Sequence, residues 1–246
     1  IPKYKAKKFI SYLQNFSNTY LPIDKLEQYA NEAVQDDDIA ALYIATRPDC
    51  ISEYYLSRLS EIKERRGIDI CIELGLQTVN YKSLGKINRG HSLAEFIDAA
   101  LRIKQYNMQV CAHIILDLPW DDMTDVIENA KVISALAIDQ VKLHALYIVK
   151  NTKMADQYLS GEIKLITLEE YKKRVITFLE YLSPDIVLQR LIGRAPAENT
   201  LFSNWHTGWW KIRDEIITQM ENNNLYQGKL CNYLNGRALK KFNVYN

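Results

Sequence analysis

Five polar residues sit where a buried strand should carry aliphatic side chains. Glu73 and Gln77 interrupt ICIELGLQT (70–78), His113 stands in VCAHIIL (110–116), and Lys142 and His144 alternate through QVKLHALYI (140–148). A carboxylate, an amide, two imidazoles and an amine can together hydrogen-bond and charge-balance a polar ligand. Alternate residues of a strand point to opposite faces. Ile70, Ile72, Leu74 and Leu76 then share the face toward covering helices, while Cys71, Glu73, Gly75 and Gln77 share the other. The same alternation joins His113 to Cys111 and Ile115, Lys142 to His144, and Tyr12 to Gln14. Unpaired charges in a core are costly, so these groups pair with one another, as Glu73 could with Lys142, or they meet a ligand. Structural ion pairs compete as an explanation for any one residue. The coincidence across several strands favours a site, and Gly75 leaves room for a ligand between Glu73 and Gln77.

The elements that must position these residues are strands alternating with helices. Apolar runs of strand length occupy 8–13, 39–46, 68–76, 110–116 and 140–148, with a weaker one at 185–192. Such runs suit strands buried on both faces. Arg47 ends the second run, and Pro48 holds it extended. Ser92 with Glu95 and Thr167 with Glu170 spell capping boxes, and Asp24 with Glu27 resembles a third, with Ile23 as a hydrophobic staple. SEYYLSRLSEIKERRG ends at Gly67, a fitting residue just past a helix. TDVIENAKVISALAI supplies another helix. This repeated alternation predicts an α/β fold with parallel strands and right-handed crossovers. A doubly wound sheet and a full or partial TIM-like barrel both fit. Neither a Gly-x-Gly-x-x-Gly fingerprint nor a P-loop is present. Residues 1–189 read as the barrel. Residues 190–246, richer in Gly, Pro, Asn and Trp, read as a C-terminal extension packed on it.

The chain has 246 residues, 48% hydrophobic, with a formal net charge of +1. That length suits one α/β barrel, and that charge offers no bulk attraction for nucleic acid or membrane. No run approaches the roughly 20 apolar residues of a membrane helix. With no signal peptide at its start, the chain is expected to be cytoplasmic, without a membrane partner. Cys50, Cys71, Cys111 and Cys231 have no zinc or cluster spacing, so no metal ligands are assigned. Cys71 and Cys111 read as buried reduced thiols. The chain opens without Met, close to its first strand, which predicts further residues upstream.

Several segments, taken in order and with their strand context, resemble radical S-adenosylmethionine (SAM) enzymes. They are ATRPDC (45–50), IELGLQT (72–78), INRGH (87–91), HIILDLP (113–119) and VKLHALYIVKNTK (141–153). YLQNFSNTY (12–20) and RLIGRAP (190–196) resemble one subgroup. That subgroup is related to oxygen-independent coproporphyrinogen oxidases and to the radical SAM half of elongator-type tRNA acetyltransferases. The resemblance covers most of the chain and implies a partial (β/α)6 barrel. It implies a [4Fe–4S] cluster held by Cys-x3-Cys-x2-Cys after the family's first strand. It further implies reductive cleavage of SAM to a 5′-deoxyadenosyl radical that abstracts hydrogen from a substrate, with a reductant such as flavodoxin or ferredoxin. The cysteine motif is absent here. The expectation is a fragment beginning before the family's second strand and inactive alone, with the cluster ligands upstream. The alternative is a degenerate, non-catalytic barrel that binds SAM or a nucleotide. Asp117-Leu118-Pro119-Trp120 stands where the family usually reads Gly-Leu-Pro-Gly, and Arg194 where it usually has an acid.

The resemblance also implies roles. Gln14 and Asn18 follow the strand where the family binds the amino end of SAM, or they cap a loop. Gln77 matches the family glutamine that contacts the nucleoside or methionyl part, with Glu73 beside it as ligand or as a buried structural acid. Arg89 matches an arginine suited to the SAM carboxylate. His113 occupies a polar position near the ribose or is a satisfied core histidine, and Arg47 meets SAM or substrate. His91 contacts ligand or covers the turn. Lys142, His144 and Lys150 fall at the substrate end. The catalytic residue is not assigned, and the substrate class stays open between a small molecule and RNA. Trp205 and His206 either pack on the barrel or form a substrate lid.

Overall fold

The computed structural model describes residues 5–194 and 198–242. Ala195 and Pro196, the end of RLIGRAP, lie outside the described residues. The chain runs β1 (Phe9–Leu13), α1 (Ile23–Ala33), β2 (Ile39–Thr46), α2 (Glu53–Arg66), β3 (Asp69–Gln77), α3 (Tyr81–Lys86), α4 (Leu93–Gln105), β4 (Gln109–Ile115) and α5 (Met123–Ala135). It continues through β5 (Gln140–His144), β6 (Tyr147–Val149), α6 (Lys153–Leu159), α7 (Leu168–Tyr181), β7 (Val187–Arg190), β8 (Thr200–Ser203) and α8 (Trp209–Asn222). Six parallel strands form one sheet in the order β1-β2-β3-β4-β5-β7. A doubly wound sheet would reverse its order at a switch point. This order never reverses, which is barrel order.

The chain divides into two compact units. The first runs to Ile114 and includes Ile138–Val141; the second takes Ile115–Ala137 and the described residues from Lys142 on. In the first, Ile70, Ile72, Leu74 and Leu76 are fully buried, and α2 and α4 pack against β3. Leu56, Leu59 and Ile62 of α2 and Phe96, Ala99, Ala100 and Ile103 of α4 supply the facing apolar stripes. Each large aliphatic residue among these contributes about 1.5–3 kcal/mol on burial. In the second, α7 packs against α5 and α8 through buried Val175, Phe178 and Leu179. Among the described residues no helix is long and apolar enough to cross a membrane.

Local signals are mostly kept. Ser92 and Glu95 form the capping box of α4, and Gly67 ends α2 in the left-handed conformation at φ 61°. Thr167 caps α7 by accepting from the Glu170 backbone N–H. Glu170 itself turns to Arg174, so half of that expected box forms. The third expected cap fails. Pro22, which has no capping side chain, precedes α1, and Glu27 instead pairs with Arg58 across to α2. A long-range ion pair has displaced a local cap.

The run 140–148 is also two strands rather than one. It breaks between β5 and β6, and β6 pairs antiparallel with β8 in a separate two-stranded sheet. The cause lies in Asp117. Its Oδ1 accepts from the Leu146 backbone N–H at 2.8 Å, taking a donor that a continuous ladder would use. Arg174 fixes the loop that carries Asp117 by donating to the carbonyls of Leu116 and Asp121, each at 3.0 Å. The departure from Gly-Leu-Pro-Gly is thereby absorbed into structure.

Full burial pushes the Asp117 carboxyl up to about 7. Between the unfolded value near 4 and this folded value, the folded chain binds more protons than the unfolded chain, so stability falls as pH rises through that window. From pH 5 to pH 8 the wild type should lose about 2 kcal/mol through this group. Asp117→Asn keeps an acceptor for Leu146 but cannot ionise, so its urea stability should lack that decline. Parallel pH slopes for the two proteins would show that Asp117 does not titrate between these limits.

Candidate functional site

The C-terminal end of β3 holds the densest polar geometry of the first unit. The β3–β4 ladder is regular through Glu73 opposite Cys111 and Leu74 opposite Ala112, then slips by one residue so that Gln77 faces Ile114. Strict alternation therefore ends at Leu74. An extra residue in one strand bends it and re-aims the side chains beyond the bend. Gln77 completes the bend with φ 73°, a left-handed value that is uncommon for a residue with a side chain. The room that alternation left for a ligand over Gly75 is instead filled, by the side chains of Gln77 and Arg89. The Gln77 amide nitrogen lies only 2.7 Å from where a Cβ on Gly75 would stand.

Gly75 is required here for space. A Cβ at this position would also overlap the Arg89 guanidinium. Arg89 donates from Nε (3.1 Å) and Nη2 (2.9 Å) to the Gly75 carbonyl, and His91 Nε2 approaches the same oxygen at 2.9 Å. The segment INRGH is thus fastened to the bulge. His91 is buried and covers the turn, and desolvation pushes its imidazole below the ordinary value.

A second glycine repeats the device. Gly90 has φ 81°, and a Cβ there would stand 2.9 Å from Arg47 Nη2. Arg47 pairs with Asp49 and reaches the Gly90 carbonyl at 3.4 Å. Asp49 is therefore an ion-pair partner, while Ser52 is the residue that precedes α2. Burial first, and then repulsion from Arg47, pushes the Arg89 guanidinium below its usual value. Arg89 makes no ion pair among the described residues, and its Nη1 has no hydrogen-bond partner among them. Two arginines thus share one acid, leaving a net positive site lined by backbone.

Deeper in the strands, Glu73 is fully buried. Its Oε2 accepts from the Tyr12 hydroxyl at 2.6 Å and meets His113 Nε2 at 2.8 Å. Glu73, Cys111 and His113 each bring a donor atom to within 4.8 Å of one another. Sequence reasoning placed Tyr12 on the inner face but gave it no role. Its aromatic hydroxyl two positions before Gln14 was the available signal. Asn18 donates to the carbonyls of Leu13 and Ala45, at 2.8 and 2.9 Å, and so ties the ends of β1 and β2. Gln14 is exposed just past β1.

In the second unit, Lys142 and His144 are both half-buried on β5, two residues apart. Lys150 is exposed, and its backbone N–H donates to the Asn199 carbonyl at 2.7 Å. His144 meets Arg190, the last residue of β7, whose Nη2 lies 2.9 Å from the histidine Nε2. Arg190 opens the RLIGRAP segment, and its sequence context alone gave it no role. Asn204, Trp205 and His206 follow β8 with φ of 46°, 50° and 57°. Left-handed backbone costs about 1–2 kcal/mol per residue, and packing holds it. Trp205 donates to the Ile166 carbonyl at 2.7 Å, and its ring lies 4.9 Å from that of Tyr171. Trp205 is thus fixed in the core of its unit, while His206 is exposed beside Phe202.

Comparison with known proteins extends this geometry. Residues 138–222 match the family model described as the Radical_SAM C-terminal domain. The uncharacterized protein YtqA of Bacillus subtilis (strain 168) is 33% identical over 227 residues, which are 92% of this chain and 70% of YtqA. The solved structure of archaeal Elp3 from Methanocaldococcus infernus, with an N-terminal deletion, matches at TM-score 0.75 and 19% identity, over 90% of this chain and 56% of that one. SuiB of Streptococcus suis bound to S-adenosylmethionine matches at TM-score 0.51 and 16% identity, over 71% of this chain and 37% of SuiB. The chain therefore spans little more than half of the Elp3 structure. These two structures speak for the fold, a partial TIM-like barrel of parallel strands. With that fold, the family match and a relative at one-third identity, the chain belongs to the radical SAM superfamily.

Proposed function

We propose that this chain is the SAM-binding barrel of a radical SAM enzyme. The observation that carries the reading is Arg89, a half-buried guanidinium at the end of β3 that makes no ion pair of its own among the described residues, the one nearby acid, Asp49, being paired to a second arginine, Arg47. A buried cation of this kind calls for an anion, and the α-carboxylate of SAM supplies one. In this reading Arg89 takes the carboxylate through Nη1, with Arg47 adding charge. Gln77 contacts the nucleoside or methionyl part. Asn18, whose amide N–H groups are committed to backbone, offers Oδ1 to the ammonium together with Gln14. His113 faces the ribose, and Glu73, closed off from solvent, is the buried structural acid that orients it. Lys142, His144 and Lys150 lie toward a substrate, a small molecule or RNA.

Bound beside a [4Fe–4S] cluster, SAM would supply reductive, hydrogen-abstracting radical chemistry toward the substrate. The cysteines of this chain do not fit such a cluster. Cys71 and Cys111 are buried, Cys50 and Cys231 are half-buried, and no three of them gather. No step is therefore assigned to them. The cluster ligands belong, in this proposal, to residues outside this chain, with the electron delivered by a flavodoxin or ferredoxin. The residues present orient SAM and shield it from water.

Anaerobic reconstitution of the full-length protein tests the reading. With dithionite and SAM it should release 5′-deoxyadenosine. A loaded cluster that releases none would overturn catalysis in favour of a binding barrel. Calorimetric SAM binding tests the site itself. Gln77→Asn tolerates the left-handed backbone but shortens the amide, and should weaken SAM binding about tenfold, the value of one or two hydrogen bonds, with the unfolding midpoint unchanged. Gly75→Ala should displace both Arg89 and Gln77. It should abolish measurable SAM binding and cost about 1–3 kcal/mol of stability through overpacking. Unaltered SAM affinity in both variants would remove the end of β3 from the site.

A further inference from the structure

Arg190 is a cation of the second unit that keeps a buried donor without a partner among the described residues. Its Nε is closed to solvent and has no hydrogen-bond partner among the described residues. It pairs with no carboxylate among the described residues. Its Nη2 rests against the His144 ring instead, 2.9 Å from Nε2 and 3.2 Å from Nδ1. A guanidinium only donates, so the imidazole nitrogen that accepts from it is unprotonated. Buried donors are nearly always satisfied, and an exception needs a reason.

The surroundings are built to keep this corner in place. Arg190 ends β7 and His144 ends β5, the strand ends at which barrels place their ligands. Gly193 turns the chain beside both. A Cβ there would stand 3.4 Å from His144 Nδ1 and 3.6 Å from the Arg190 guanidinium carbon. Buried Asn204 donates to the Gly193 carbonyl at 3.3 Å from the first of three consecutive left-handed residues. Strained backbone held by packing is typical of ligand clamps.

We propose that Arg190 and His144 form an oxyanion subsite that takes a carboxylate or phosphate group of the substrate. The proposal rests on the radical SAM reading only for the identity of the occupant as substrate. Nε and Nη2 make the planar fork that matches two oxygens of one anion. The anion takes the place of His144 at Nη2 and satisfies Nε in the same step. The displaced imidazole then donates its N–H to a remaining oxygen. A neutral substrate group would leave Nε as it is.

The test monitors arginine Nε–H resonances in the full-length protein during titration with inorganic phosphate, with acetate, and with chloride at matched ionic strength. The Arg190 signal is identified by its loss in Arg190→Lys and Arg190→Gln, with circular dichroism reporting their folding. It should shift saturably with phosphate or acetate and stay still with chloride. The anion that saturates at lower concentration names the source. Arg190→Lys, which loses the fork, should weaken that anion about tenfold as read from other shifted resonances. An Arg190 signal that ignores both anions, or follows chloride equally, overturns the subsite. SAM binding measured on the same sample separates the two readings. SAM binding without an anion response rejects this subsite alone, and an anion response without SAM binding rejects the SAM reading alone.

Discussion

The carbonyl of Gly75 is the point on which the first unit's site depends. Two N–H groups of Arg89 and one ring nitrogen of His91 converge on that single oxygen. A carbonyl has two lone pairs and can serve several donors, but it must project from the strand to do so. The slip in the β3–β4 ladder supplies that projection, since it releases Gly75 and Leu76 from regular pairing. The bulge, the left-handed Gln77 and the INRGH segment are therefore one device. Removing any part loosens the other two.

The two glycines of this device act for different reasons. Gly90 needs both its positive φ and its missing side chain, because Arg47 occupies the space. Gly75 has ordinary backbone and is needed only for space, because Arg89 and Gln77 close over it. Gly75 thereby brings the Arg89 guanidinium against backbone, while Gly90 makes room for Arg47, which reaches both backbone and Asp49. Asp49 balances one of the two charges. The geometry thus maintains a positive centre that a close-packed, acid-paired arrangement would have cancelled.

Much of this was legible in sequence. The apolar runs located β2, β3 and β4 because strands buried on both faces leave a continuous signature. Ser92 with Glu95 located the start of α4 because a capping box is local. What escaped was non-local. Glu27 left its expected cap for Arg58, 31 residues away, and Asp117 split the run 140–148 from 29 residues upstream. The bulge at β3 left no mark in the alternation, since Gly75 and Leu76 fit either register. Glu73 was recognised as anomalous, yet its partner Tyr12 lies 61 residues earlier and needed the fold to be seen. Arg190 escaped because a charge at a strand end is commonplace until its neighbours are known.

Asp117 and the two arginines show opposite solutions to one problem. A titratable acid moved into the interior escapes the cost of charge by keeping its proton, and the Asp117 carboxyl is raised to about 7 by burial for this reason. An arginine has no such exit, because its guanidinium stays protonated in proteins. Arg89 is pushed down by burial and by Arg47, yet from a starting value so high that it keeps its charge at any physiological pH. Arg190 likewise keeps a buried donor unsatisfied. A group that cannot neutralise itself and is only partly balanced by an acid carries a desolvation cost that a bound anion would offset. Anything binding the folded chain alone stabilises it in proportion to its affinity. In the proposed reading, the cost that these arginines impose on the fold is the same quantity that would strengthen the binding of a carboxylate or phosphate.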